Sequence, residues 1–276
     1  MKFAICNELF QGWDFRKIVR FTKEIGYHGL EIAPFTFADS VAEISPLKRR
    51  EIKTIADDAG LEITGLHWLL AKPDGLHINH PNRAIRQRTV AYLHQLIDFA
   101  ADIGGSIMVF GSPGQRLILP ELSREDGWRL MAESLNACIE AAWARGVTIC
   151  LEALPVNQTN LFNANQEILQ MVNEINHPNI RMMLDVKSMC NEEVPIMENI
   201  KACSGYFHHV HANDANLRGP GFGKIDFRPI LKTLNELDYH RYVSVEVFDY
   251  SPDPETIASK SLSYLKKCLA EVTPCH

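Results

Sequence analysis

Eight short apolar runs recur along the chain, separated by longer stretches in which apolar and polar positions alternate with a helical period. The runs are Phe3–Cys6, Gly29–Ala33, Glu62–Trp68, Ser106–Gly111, Thr148–Ala153, Ile180–Val186, Phe207–Ala212 and Tyr242–Phe248. Each has strand length and is mostly apolar on both faces, the pattern of a strand buried in a parallel sheet. Between them, "DFRKIVRFTKEIG" places Ile18, Phe21 and Ile25 on one helical face, and "SPLKRREIKTIADDAG" opens on Ser-Pro and closes on glycine. "RQRTVAYLHQLIDFAADIGG", "EDGWRLMAESLNACIEAAWARG", "FRPILKTLNELD" and "PETIASKSLSYLKKCLAEV" read as further helices, with weaker signals in "NQEILQMVNEIN" and "PIMENIKAC".

Eight strand–helix units predict a single (β/α)8 barrel domain over residues 1–276. The rival is an open, doubly wound sheet. It would mark its nucleotide site with a glycine-rich turn after the first strand, and "CNELFQGW" has no such pattern. The ends of the runs favour the barrel. Asn7, Glu31, His67, Ser112, Glu152, Asp185, His211 and Glu246 stand at or near the C-terminal ends of successive runs. A barrel builds its site at that mouth from many loops.

Composition narrows the partners. The formal net charge of −6 argues against a nucleic-acid partner, which would favour a basic face. No run approaches eighteen apolar residues, and "MKFAICNELF" is too short a run for a signal peptide, so no membrane span is expected. The seven cysteines include no CxxC pair, which predicts reduced thiols in a cytoplasmic protein.

The candidate chemistry lies in the last four runs. Glu152, Asp185, His211 and Glu246 end four consecutive strands, and in a closed barrel those ends ring one mouth. A single acid at a strand end is ordinarily a helix cap or an ion-pair partner, and a single histidine a satisfied core residue; three acids and a histidine in succession would each need a separate partner. Three carboxylates in a water-poor site repel one another, and a divalent cation removes that repulsion. Carboxylate oxygens with one imidazole suit one Mn²⁺ or Mg²⁺ per chain, and also Co²⁺, Fe²⁺ or Zn²⁺.

The motifs "LEALP", "MLDVKSM", "HVHANDANLRGPGFGKIDF" and "VSVEVF" resemble those of the xylose isomerase-like TIM barrels, the sugar phosphate isomerase/epimerase and AP endonuclease family 2 group. Within that group the pattern is similar to ketose 3-epimerases of the D-tagatose 3-epimerase type and to hydroxypyruvate isomerases. The resemblance runs through all eight units and is sharpest from Thr148 to Phe248. It implies that Glu152, Asp185, His211 and Glu246 hold one divalent metal, Mn²⁺ first among the candidates, and that Glu152 and Glu246 also move protons. It further implies a carbohydrate substrate, and relatives often form dimers or tetramers. Arg218 would reach a substrate oxygen, and the glycines beside it would let the backbone fold over the mouth.

This chain departs from the epimerase pattern at three places. Ser188 stands where those enzymes have a substrate-contacting histidine, Gln158 stands for a glutamate, and Arg218 comes one residue late relative to His211. A keto-sugar lyase or dehydratase therefore stays open beside the isomerase/epimerase reading. An endonuclease IV-like enzyme and a non-catalytic sugar-binding barrel are the remaining alternatives. Several other residues have two readings. His67 and Gln158 are candidates for substrate contact, His67 equally for a satisfied barrel residue. Lys187 is either a receiver for an anionic group or a solvated lysine. His77 and His80 are expected at the surface, and Glu31 is expected to be tied to a neighbouring strand. The loop Gly111–Arg116 could form a lid or a phosphate nest.

Overall fold

The computed structural model describes residues 1–273. Among them, β1 (Lys2–Cys6), β2 (Gly29–Ile32), β3 (Glu62–Leu66), β4 (Ile107–Phe110), β5 (Thr148–Leu151), β6 (Ile180–Asp185), β7 (Phe207–Ala212) and β8 (Tyr242–Val245) form one closed barrel in sequence order. Every neighbouring pair is parallel, and β8 closes onto β1 with Val243 opposite Phe3. The helices α1 (Phe15–Ile25), α2 (Pro46–Ala59), α3 (Arg83–Ile103), α4 (Arg124–Asn136), α5 (Ile139–Arg145), α6 (Asn165–Ile175), α7 (Val186–Met189), α8 (Ile196–Ala202), α9 (Phe227–Glu236) and α10 (Pro254–Val272) alternate with the strands. Side-chain caps set several of their starts. Asp14 accepts from the Arg16 N–H, and Ser45 from the Lys48 N–H with Pro46 in the first turn. Gly60 closes α2 in a left-handed conformation, φ 64°, which a β-carbon would disfavour.

Two expectations need correction. The single helix read over "EDGWRLMAESLNACIEAAWARG" divides into α4 and α5 at Ala137 and Cys138. Several strands also end earlier than their apolar runs. β3 stops at Leu66 and β8 at Val245, so His67 and Glu246 lie just past the ladder, as Glu152 does after β5. An apolar run records burial, and burial continues beyond the last paired residue.

The core has two compartments. The larger packs the helices against the outer face of the barrel, with Leu30, Phe99, Met131, Ile168 and Leu231 fully enclosed. A small separate cluster of Ile107, Val109, Cys150 and Met183 lies apart from it. Strand side chains alternate between faces, so residues two apart share a face. Cys150, Met183, His209 and Ser244 therefore form the layer beneath Glu152, Asp185, His211 and Glu246. Register shifts let the alternation run this way. One between Met182 and Met183 skips His208 on β7, and one between Leu30 and Glu31 skips Thr64 on β3.

Cys6, Cys138, Cys150, Cys190, Cys203 and Cys268 are free thiols; Cys275 lies outside the described residues. Among the described residues no helix is long and apolar enough to cross a membrane.

Candidate active site

Glu152, Asp185, His211 and Glu246 meet at the C-terminal mouth of the barrel. Each offers a ligand atom, these atoms lie within 4.8 Å of one another, and all four residues are buried. β5, β6, β7 and β8 each deliver one of them. Asp185 is fixed from two sides: Oδ1 accepts the Ser188 N–H at 2.6 Å and Oδ2 accepts the Asn213 side-chain amide at 2.6 Å. The same Asn213 amide reaches Glu246 Oε2 at 3.3 Å. His211 places Nδ1 3.1 Å from Glu246 Oε2 and 4.0 Å from Asp185 Oδ2, while its Nε2 faces Glu31 Oε1 at 3.1 Å. Both ring nitrogens thus face carboxylates; with a cation bound, Nε2 would keep its hydrogen toward Glu31 and Nδ1 would present its lone pair to the cation.

Partners from the first half of the barrel surround this set. Glu31 also holds His209 Nε2 at 2.8 Å. His67 stands 2.9 Å from Glu8 Oε2 and 3.4 Å from Glu246 Oε1, at ion-pair distance but without aligned hydrogen bonds. Glu31 is buried and takes the Cys6 thiol of neighbouring β1 at 3.7 Å, as expected, but its shorter contacts come from His209 and His211 of β7, across the barrel from β2.

The charges are unevenly accommodated. Burial, with Asp185 and Glu246 close by, pushes the Glu152 carboxyl up to about 8. Burial would raise Glu246 too, but His211 and His67 outweigh it and hold the carboxyl well below the usual range. Burial would lower the His67 imidazole, yet Glu8 and Glu246 raise it to about 10. His211 is raised well above its ordinary value against the same burial, by Glu246 and Glu31. A dication fits this donor set. It would take up the repulsion felt by Glu152, and it would occupy His211 Nδ1, which has no aligned hydrogen-bond partner. The deeper group of Cys6, Glu31, His67 and His211 fits less well, since both Glu31 oxygens are already taken by histidines.

A cavity of about 320 Å³ opens beside the quartet, lined by His67, Trp68, Glu152, Gln158, Lys187 and Glu246 among others. That lies at the small end of the range for ligand pockets, about 300–1,000 Å³. Gly111 to Gln115 form another wall, so this loop belongs to the site. A β-carbon on Gly111 would collide with Glu152 Oε2, so the glycine makes room for the carboxylate. Trp68 and Ser112, at the edges of the cavity, both adopt left-handed backbone conformations, φ 53° and 42°. Such strain in residues with side chains concentrates at binding sites. Trp68 packs edge-on against Phe35 and against Phe248.

Lys187 is buried in this wall, against the solvated reading, with its ammonium 4.0 Å from the Phe248 ring centroid. The structure does not bring Arg218 to the cavity lining. Its guanidinium Nε pairs with Asp249 Oδ2 at 2.8 Å on the partly exposed loop after β7. Ser188 is buried at 3% exposure, and its backbone N–H serves Asp185. His77 is half-buried and rests edge-on against His80, 5.5 Å between centroids, outside every metal-capable group.

The model of the family described as "Xylose isomerase-like TIM barrel" matches residues 19–268. The chain belongs to that family. Among its curated relatives is D-psicose 3-epimerase of Ruminiclostridium cellulolyticum, 27% identical over 245 residues, with 86% of this chain and 80% of that protein covered. Another is 3-dehydro-D-guloside 4-epimerase of Escherichia coli, 24% identical over 274 residues, covering 97% of this chain and 100% of the relative. A solved structure of L-ribulose 3-epimerase superposes with a TM-score of 0.86 at 22% identity, covering 98% of this chain and 95% of that one. As a xylose isomerase-like barrel, the chain carries its metal-capable quartet on the last four strands of the fold.

Sequence reasoning missed three contributors. Glu8 lies in the 3-10 turn Asn7–Leu9 just past β1, where strand alternation no longer applies, and only its position at the barrel mouth could have suggested it. Asn213 lies two after His211 and was legible from strand alternation. Arg116 had no such signal. It is fully buried and donates to the Glu152 backbone carbonyl at 2.7 Å and to those of Phe110 and Phe162 at 3.4 Å. Burial lowers its guanidinium to about 10 against the opposing pull of Glu152 and Glu167, which still leaves a cation at neutral pH.

Proposed function

We propose that this chain is a divalent-metal-dependent epimerase of a sugar or keto-sugar. The observation that carries the reading is the meeting of Glu152 and Glu246 with Asp185 and His211 beside one small cavity. These four residues would hold the cation, Mn²⁺ first among Mg²⁺, Co²⁺, Fe²⁺ and Zn²⁺. When bound, the cation supplies the positive charge that offsets the negative charge developing on sugar oxygens in an enediolate.

The chain's own residues then divide the work. A C–H beside a carbonyl is too weak an acid to ionise unaided, so one carboxylate must take its proton and another must return one. Glu246, held ionised between His211 and His67, is assigned the base. Glu152, at the end of β5, is assigned the returning acid; with a cation bound to relieve the repulsion on its carboxyl, it would carry the proton only transiently. Proton removal from one face and return to the other inverts the carbon; return to the adjacent carbon would isomerise instead. The relatives named as 3- and 4-epimerases favour inversion. His67, set between Glu8 and Glu246, positions the base. Gln158 offers an amide to a sugar hydroxyl, and Trp68 with Phe248 gives the apolar face of a sugar an aromatic wall. Arg218 receives no substrate role, because Asp249 holds it away from the cavity.

The test is Mn²⁺-loaded protein with a panel of ketoses and 3-keto-glycosides in deuterated water, read by proton NMR. Deuterium should appear at one carbon beside the carbonyl, together with the epimer, and a chelator should stop both. A protein that retains about one metal per chain but exchanges no proton across the panel would overturn the proposal. An unsaturated product would replace it with the lyase.

A further inference from the structure

The cavity holds a cation that the proton-transfer steps leave unused. Lys187 is 6% exposed and is the second residue of α7, the turn that Asp185 caps. Its backbone N–H donates to Asn213 Oδ1 at 2.8 Å, and the Asn191 side-chain amide donates to its carbonyl at 3.0 Å. The residue is therefore fixed from both ends of its peptide unit, and its side chain lines the cavity. Its ammonium sits over the Phe248 ring. Among the described residues no carboxylate comes within 4.0 Å of Nζ. The Glu152 carboxyl feels this charge but does not pair with it directly, and an aromatic face accepts none of an ammonium's three hydrogen bonds in the way an oxygen does. Those donors are left for something that enters the cavity.

The loop after β4 leaves room for such a group. Ser112, on the opposite loop of the same cavity, holds its hydroxyl buried without a hydrogen-bond partner and adopts a left-handed backbone. Gly114 beside it has open space where a β-carbon would stand. The cavity thus presents an ammonium that no carboxylate pairs with directly, apart from the quartet that would hold the metal. We infer that the sugar taken by this site carries an anionic group, a carboxylate or a phosphate, and that Lys187 is the residue that receives it. This rests on the epimerase reading for the sugar, but not for the anion.

Binding alone can test it, using polyols that have no carbonyl to react. Calorimetry on Mn²⁺-loaded protein would compare D-glucitol, D-gluconate and D-glucitol 6-phosphate. At least one anionic probe should bind about 10- to 100-fold more tightly than glucitol, the range of one charge-assisted hydrogen bond. The arm that shows the gain names the group, carboxylate or phosphate. Lys187→Met should reduce the ratio of anionic to neutral affinity to within about threefold, with Lys187→Arg keeping part of it by retaining the charge. Melting temperature and metal content of each variant report whether it has folded. Equal binding of all three probes would overturn the inference. So would an anion advantage that survives Lys187→Met, because the anion would then sit on the metal and Lys187 would only balance the carboxylates. The deuterium-exchange assay fails or succeeds separately, so the anion site and the epimerase reading can fall independently.

Discussion

The two halves of the barrel contribute to the site in different ways. Strands β5 to β8 each end in a group able to hold a cation: Glu152, Asp185, His211 and Glu246. Strands β1 to β3 contribute Glu8, Glu31 and His67, and each of these stands beside a side chain of the other half or beside one another. β4 contributes Gly111, whose missing side chain leaves space for Glu152. The fold is pseudo-repetitive, with the same strand and the same mouth eight times. The division of labour therefore comes from which side chain each strand presents at the same height. One half presents donors to a common centre; the other orients and neutralises those donors. Truncation should therefore have unlike consequences on the two sides.

The largest effect belongs to the second half. Glutamine keeps an oxygen for coordination but cannot accept a proton as a carboxylate does. Glu246→Gln should retain most of the metal by elemental analysis yet lose roughly 10²- to 10⁴-fold in solvent-deuterium exchange. Exchange at the wild-type rate would reduce Glu246 to a ligand, and the contrast between the halves would shrink to metal holding against metal orienting.

An intermediate effect is expected from the first half. Glu31→Gln leaves a neutral amide opposite His211 Nε2, free to present either its oxygen or its nitrogen. The imidazole loses the carboxylate that fixes its tautomer and raises its basicity. Mn²⁺ affinity, followed by calorimetry, should weaken about 10- to 100-fold, with turnover recovering at saturating metal. An unchanged affinity would mean that ring packing alone orients His211. A turnover that stays low at saturating metal would move Glu31 from orienting the metal site into the chemistry itself.

The smallest effect separates position on a strand of the quartet from participation in the site. His208 lies on β7 like His211, but the register shift leaves it out of the inward alternation. Burial lowers its imidazole to about 4, with Arg241 and Arg181 adding repulsion. A histidine whose folded value lies below its unfolded one, about 6.5, takes up its proton first in the unfolded chain. Its contribution is complete above about pH 6.5 and is lost as pH falls toward 4. His208→Gln removes that loss. Between pH 7 and pH 5 the melting temperature of the variant should therefore fall roughly 2–4 °C less than that of the wild type, the size of a 1 kcal/mol effect in a chain this long. Metal affinity should not move, and a change in it would join His208 to the face that carries the quartet.

The barrel and its quartet were legible because each rests on a local pattern. Strand-length apolar runs separated by helical periods specify βα units, and a carboxylate after an apolar run is conspicuous. Asp185 and Glu246 could be named from their own neighbours in the chain. Lys187 could not be placed, because a lysine two residues past a strand is solvated or buried according to where the following turn folds. Arg218 could not be placed either, for a related reason. A glycine-rich loop leaves its direction open, and Asp249, thirty-one residues further on, decided where the guanidinium rests. Arg116 was invisible, since its three acceptors are backbone carbonyls of Phe110, Glu152 and Phe162 and no side-chain pattern records them.

By itself the sequence determined the succession of strands and helices, the mouth at which chemistry would gather, and the four residues most able to hold a cation there. These follow from periodicity and from residue type, which act over a few positions. The tertiary structure alone decided the pairings. Closure of β8 onto β1 and the register shifts at Thr64 and His208 bring Glu31 to His211, and His67 between Glu8 and Glu246. Electrostatic interaction depends on distance through space, and side chains from opposite walls of a barrel become neighbours only when the barrel has closed.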